Sequence, residues 1–316
     1  MSVSHYIIPF NQISIKDLPK VGGKNASLGE MYNQLSSKGI KVPDGFALSA
    51  DAYRLFRKEN KIEQPLQELL ASLDRKNLSN LSSVGEQARE LISKSKIPEE
   101  IIRASKEAYF NLSARCGIKV LDVAVRSSAT AEDLPTASFA GRMESFLNIS
   151  GVEQLIDAIH RCYISLFTDR AIKYRYDMGF MDMDIAISAG VQQMVRSDKA
   201  SSGVAFTIDP DSGFKNTIVI NSIWGLGENI VQGRVTPDEW TVFKPILKEG
   251  KYDPILRNHC GKKEFTMVYA DDANKLSAEK TIINYDTSEE KKNELSLNNA
   301  EVITLARWCL LIEEHY

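Results

Sequence analysis

The sequence predicts an α+β fold of two or more lobes, and three observations support it. Apolar residues recur at helical spacing through the first 120 residues and turn into strand-like runs after Val120. The elements do not alternate regularly as βαβα, which argues against a doubly wound parallel sheet. The 316 residues, 43% apolar and 26% charged, suffice for a core near the upper limit of a single domain. The expected layout is one domain over residues 1–316, with a mostly helical lobe over 1–120 and β-rich portions over 121–316.

Residues 24–38, KNASLGEMYNQLSSK, carry Leu28, Met31, Tyr32 and Leu35 at helical spacing, and Gly39 supplies a stop. Further helices are predicted over 51–60, 64–73, 84–94 and 98–116, the last opened by Pro98 and closed by Gly117. Strand-like runs follow at 121–125, 144–149, 185–195, 204–208, 218–223 and 239–243. One helix interrupts them, with Leu155, Ile156, Ile159, Tyr163 and Leu166 on a face. Residues 188–206, SAGVQQMVRSDKASSGVAF, read as a hairpin whose Gln192 could face a base or a phosphate. Polar residues 285–294 read as a surface loop before a last helix carrying Val302, Leu305, Leu310 and Ile312. Neither an internal repeat nor a low-complexity tract is present.

A net charge of −3 and a pI near 5.9 provide no basic field, so neither nucleic acid nor an anionic membrane surface is expected as a partner. The apolar stretches fall far short of the ~20 residues that span a bilayer. The start, MSVSHYIIPFNQISIKD, lacks the basic region and apolar core of a secretory signal, and a cytoplasmic protein is expected. Cys116, Cys162, Cys260 and Cys309 are widely spaced with no C-x-x-C, which favours reduced thiols over zinc or a disulfide framework. None of His5, His160, His259 and His315 stands in a compelling site, and no nucleophile is paired with a base.

Two glycine-rich runs and one small-residue loop remain. VGGKNASLGEM, from residue 21, places Gly22 and Gly23 before a helix and Lys24 in its first turn, a pattern suited to phosphate. Taken alone, a plain turn with a solvated lysine is the commoner reading of so short a run, and the Walker A spacing is not met. In VAVRSSATAEDLPTASFAGRMESFLNI, from residue 123, Arg126 follows an apolar strand that holds its base rigidly. A planar guanidinium there can make paired hydrogen bonds to phosphate oxygens. Ser127, Ser128, Thr130 and the small residues up to Gly141 suit a loop lying over a ligand; the alternative is a surface loop with Arg126 paired to Glu132 or Asp133. WGLGENIVQGRVTPDEW, from residue 224, has Ile230 where a dinucleotide fingerprint needs its third glycine, which disfavours NAD. Its carboxylates, Glu228, Asp238 and Glu239, are either magnesium ligands or solvated acids.

These motifs in this order, together with KKEFTMVYA at 262–270, resemble the N-terminal nucleotide-binding domain of the phosphoenolpyruvate synthase and pyruvate phosphate dikinase family, from about Pro19 onward. The resemblance implies an ATP-grasp-like fold whose lobes clamp ATP and Mg2+. In that family the β-phosphate of ATP passes to a histidine on a central domain and then to pyruvate on a C-terminal barrel; neither domain is in this sequence. By the same resemblance Lys24 and Arg126 contact phosphates and form the catalytic pair, beside Gly22, Gly23 and Ser128. Gly141 and Ser145 belong to the phosphate-covering loop, Gln192 lines the nucleotide pocket, and Arg142 and Glu228 join the nucleotide-binding set, Arg142 either as a phosphate contact or through domain docking. Arg142 and Met143 stand where the family usually carries paired glutamines. The family's acidic D-I-E motif would fall beyond Tyr316, so the metal ligands are not assigned and a C-terminally truncated fragment, inactive alone, is expected. A rifampin-type antibiotic phosphotransferase or pyruvate phosphate dikinase, which share the ATP domain but differ in acceptors, and a regulatory module that only binds nucleotide, are the alternatives.

Overall fold

The computed structural model describes residues 5–130, 144–181, 185–270 and 282–316. They form two compact units, Met1–Met194 and Val195–Tyr316.

The first unit contains β1 (Ile7–Pro9), α1 (Leu18–Leu35), β2 (Gly45–Leu48), α2 (Ala50–Glu59), α3 (Glu63–Ala71), α4 (Leu81–Ser93), α5 (Glu99–Arg115), β3 (Asp122–Ala129), β4 (Ser145–Ser150), α6 (Val152–Ser165), α7 (Asp169–Asp177) and β5 (Ile187–Gln193). Its strands form one antiparallel sheet in the order β1-β2-β5-β3-β4. Alternation along the strands gives the sheet two different faces. Phe46, Leu48, Val123, Val125, Ile187, Ala189 and Val191 join the main core with Tyr53, Phe56, Ile92, Leu112, Ile159 and Tyr163 from the helices. Each such large side chain stabilises the fold by about 1.5–3 kcal/mol when fully buried. A smaller core of Phe10, Ile13, Val21, Ala26 and Ala47 holds α1 on the sheet's second face.

The helices expected in this unit are all present. α1 bends at Gly22, whose φ of 75° and ψ of 164° are non-helical, so its long arm begins beside Lys24 as the glycines suggested. Gly39, at φ 90°, and Gly117, at φ 68°, adopt the left-handed conformation that ends a helix. β3 runs past the expected 121–125 to Ala129, because Ser127 and Ser128, each 1% exposed, continue its buried ladder. α7 was not expected; the Thr168 side chain caps it by accepting from the Ala171 amide at 3.3 Å.

The hairpin expected over 188–206 does not form. β5 has β2 on one edge and β3 on the other, so it has no free edge for the next strand. That next strand, β6 (Ser201–Phe206), pairs instead with β7 (Thr217–Trp224) in the second unit. There β8 (Asp238–Phe243) and β9 (Ile255–His259) complete a sheet of order β6-β7-β8-β9. Along the chain α8 (Glu228–Val231) lies between β7 and β8, and α9 (Lys244–Glu249) between β8 and β9. β10 (Phe265–Tyr269) and β11 (Ile282–Asp286) form a two-stranded ribbon. Residues 285–294, expected as loop, instead contain the end of β11 and α10 (Glu289–Lys292), capped by Ser288. The last helix, α11 (Asn299–His315), packs Val302, Ala306 and Leu310 against Ile218, Ile220, Trp240 and Val242. Among the described residues no helix is long and apolar enough to cross a membrane.

Candidate functional site

Residues directly opposite each other in an antiparallel pair share a face of the sheet. Ala124 stands opposite Gln192, Arg126 opposite Gly190, and Ser128 opposite Ser188. On the other side of β3, Arg126 stands opposite Ser145 of β4. Register thus brings Arg126, Ser128, Ser145 and Gln192 onto the second face of the first-unit sheet. Arg126 is exposed on a strand whose neighbours are buried, and the residue beside it on β5 is a bare glycine.

The bend of α1 lies at the far end of this row. A Cβ on Gly22 would overlap the Ser128 hydroxyl and stand 2.8 Å and 2.9 Å from the carbonyl oxygens of Ser128 and Ala129. Only glycine supplies both this close approach and the positive φ. The Ser128 hydroxyl is buried and, among the described residues, has no hydrogen-bond partner. Buried polar atoms are normally satisfied, so an orphaned hydroxyl under a glycine bend, on the strand face that carries Arg126, fits a polar group that binds there. Lys24 is half-buried at the start of the long arm of α1. Gln192 is 7% exposed and anchored, its amide donating to the Pro43 carbonyl at 3.1 Å.

The other sequence candidates lie elsewhere. Gly141 and Arg142 fall outside the described residues, as do Glu132 and Asp133. Glu228 belongs to the second unit, where it opens α8 and accepts from Gln232 Nε2 at 2.6 Å. The glycines before it have local tasks: Gly225, at φ 81°, lies against the Met267 carbonyl, which also accepts from the Leu226 amide at 2.8 Å. Asp238 is not solvated but buried, forming an ion pair with Lys263. His160 meets the Ile92 carbonyl at 2.8 Å and the edge of Phe56, a structural role. Among the described residues no group of three or more His, Cys, Asp or Glu side chains could hold a metal ion. Sequence reasoning missed Asn25, Ser188 and Gly190; the small residues at alternate positions of ISAGVQQ were the available signal of a face approached closely by another element.

A family model described as pyruvate phosphate dikinase, AMP/ATP-binding domain, matches residues 18–316. The chain is similar to the phosphoenolpyruvate synthase of Synechocystis sp., 47% identical with 100% of this chain and 39% of the relative covered. It is 46% identical to that of Neisseria meningitidis serogroup B, covering 99% of this chain and 39% of the relative. The Escherichia coli synthase is 44% identical, again over 99% and 39%. The chain thus spans about two-fifths of the length of these relatives.

Proposed function

Because the chain belongs to the pyruvate phosphate dikinase AMP/ATP-binding domain family, we propose that it is the ATP-binding phosphotransfer module of a cytoplasmic phosphoenolpyruvate synthase, built as an ATP-grasp-like clamp. The observation that carries this reading is the seating of the Gly22 bend on Ser128, two residues along β3 from the exposed Arg126. Bare backbone, a lysine, a guanidinium and an orphaned hydroxyl are the groups that a polyphosphate chain requires.

When bound, ATP supplies the phosphoryl group and brings magnesium on its own phosphate oxygens. The chain's residues bind and orient. Lys24 and Arg126 offset phosphate charge, Gly22 and Gly23 admit the phosphates close to backbone, and Ser128 and Ser145 donate hydroxyl hydrogen bonds. Gln192 borders the nucleotide, Gly141 and Arg142 belong to the covering loop, and Glu228 is carried in the nucleotide-binding set. In the whole protein, ATP, pyruvate and water would yield AMP, phosphoenolpyruvate and phosphate through a phosphohistidine on a further domain.

Calorimetric titration of the chain with magnesium and ATP tests the binding half: uptake that is lost in Lys24→Ala supports it, and no uptake overturns it. The transfer half is read in the full-length protein with ATP labelled at the β-phosphate. Label on a histidine supports transfer; an unlabelled protein reduces the module to nucleotide binding.

A further inference from the structure

Asn25 follows Lys24 in the long arm of α1 and is 2% exposed. Its amide nitrogen uses both hydrogens, donating to the Val21 carbonyl at 3.0 Å and to the Ser188 hydroxyl at 3.0 Å. The first bond spans the bend, since Val21 and Asn25 stand on either side of Gly22. The second ties the helix to β5, where the Ser188 hydroxyl in turn donates to the Leu48 carbonyl of β2. The Asn25 amide oxygen lies against Gly190 so closely that a Cβ there would overlap it. Gly190 is the register partner of Arg126. One carboxamide therefore braces the bend that leads into Lys24 and rests on the strand position beside Arg126.

We propose that Asn25 is a positioning residue for the phosphate end of the nucleotide site, holding the Gly22–Gly23–Lys24 bend at a fixed height over the Arg126–Gly190 pair; the inference rests on the nucleotide reading above. Two successive glycines have more conformational freedom than any other dipeptide. Without a brace, ligand binding must itself order the bend, and affinity falls by that cost. The loss is specific to ligands that carry phosphates, because the brace acts on the phosphate end alone.

The test is titration of the wild-type protein, Asn25→Ala and Ser188→Ala with ATP, inorganic tripolyphosphate and adenosine, alongside thermal unfolding. Ser188→Ala, which removes one of the two bonds, is expected to weaken ATP and tripolyphosphate about tenfold, and Asn25→Ala, which removes both, at least as much, with adenosine changed by less than about twofold. The double variant should add little to Asn25→Ala, which already lacks the bond to Ser188. Gly190→Ala, which displaces the carboxamide without removing it, should show the same pattern, and Ser188→Ala still reads the bond if Asn25→Ala does not fold. Equal losses for ATP and adenosine, or a lowered melting temperature with unchanged tripolyphosphate affinity, overturn the positioning role alone. A wild-type protein that takes up neither ATP nor tripolyphosphate overturns the nucleotide reading and this role with it.

Discussion

Arg126 and Gly22 stand at the same site and make opposite predictions. Arg126 is exposed, so Arg126→Ala is expected to change unfolding free energy by no more than about 0.5 kcal/mol. It should nonetheless weaken ATP binding by about 1.5–3 kcal/mol, the worth of a charge-assisted hydrogen bond. Gly22→Ala forces a Cβ into the Ser128 hydroxyl at a φ of 75° and should cost roughly 1–3 kcal/mol in urea unfolding before any ligand is added. Wild-type stability in that variant would mean that α1 does not sit on β3 as described. Spacing along the chain marked Gly22, Gly23, Lys24 and Arg126 as phosphate candidates, with a plain turn the commoner reading of the glycine-lysine run taken alone. It could not single out Asn25 and Ser188, because the bond joining them spans 163 positions and arises only from strand register and the docking of α1.

At the scale of elements, the longer amphipathic helices were legible to within a few residues because each buries one periodic face, while the nine-residue α7 was missed. β9 and β11 were not legible, since most of their residues are exposed and lack the alternation of a half-buried strand. The start of α11 does carry a readable signal: the Asn298 side chain accepts from the Glu301 amide at 3.0 Å and Glu301 accepts from the Asn298 amide at 2.8 Å. Asn298→Ala should lower stability by about 1 kcal/mol. A larger loss is expected where Asp238, at the start of β8, joins three segments. Its carboxylate pairs with Lys263 and accepts from the Gly261 amide at 2.8 Å and from the amide and hydroxyl of Ser296, both at 2.7 Å. Both charged side chains are fully buried. Asp238→Ala strands the ammonium and should cost roughly 3–5 kcal/mol, whereas replacing Asp238 and Lys263 together by apolar residues should cost less than the sum of the single losses. Denaturant midpoints of the two single variants and the double variant decide the matter.

For the whole molecule, the thiols report on folding. Cys260 is exposed while Cys162 and Cys309 are buried, so a thiol reagent should modify Cys260 first and reach the buried pair only on unfolding. Burial, with Glu313 adding to it, pushes the Cys309 thiol from 9.0 up to about 11, and burial pushes Cys162 up as well. The folded state thus keeps protons that the unfolded chain releases above pH 9.0, and this contribution to stability is lost as pH rises toward and through about 11. A denaturation midpoint that rose over that interval would contradict the burial of these thiols. The sequence reading put its change of lobe at residue 120 and drew a hairpin across the Met194–Val195 boundary of the two units, because two strands adjacent in the chain look the same whether they pair with each other or with strands elsewhere. The true arrangement bears on synthesis. β5 is the last strand of the first unit in the chain but the middle one in space, between β2 and β3. A ribosome that has not yet released Ile187 therefore presents two unjoined ribbons, β1 with β2 and β3 with β4, each with an unpaired edge. Those open edges are available for mispairing until β5 emerges, and slowed synthesis over that interval would prolong their exposure.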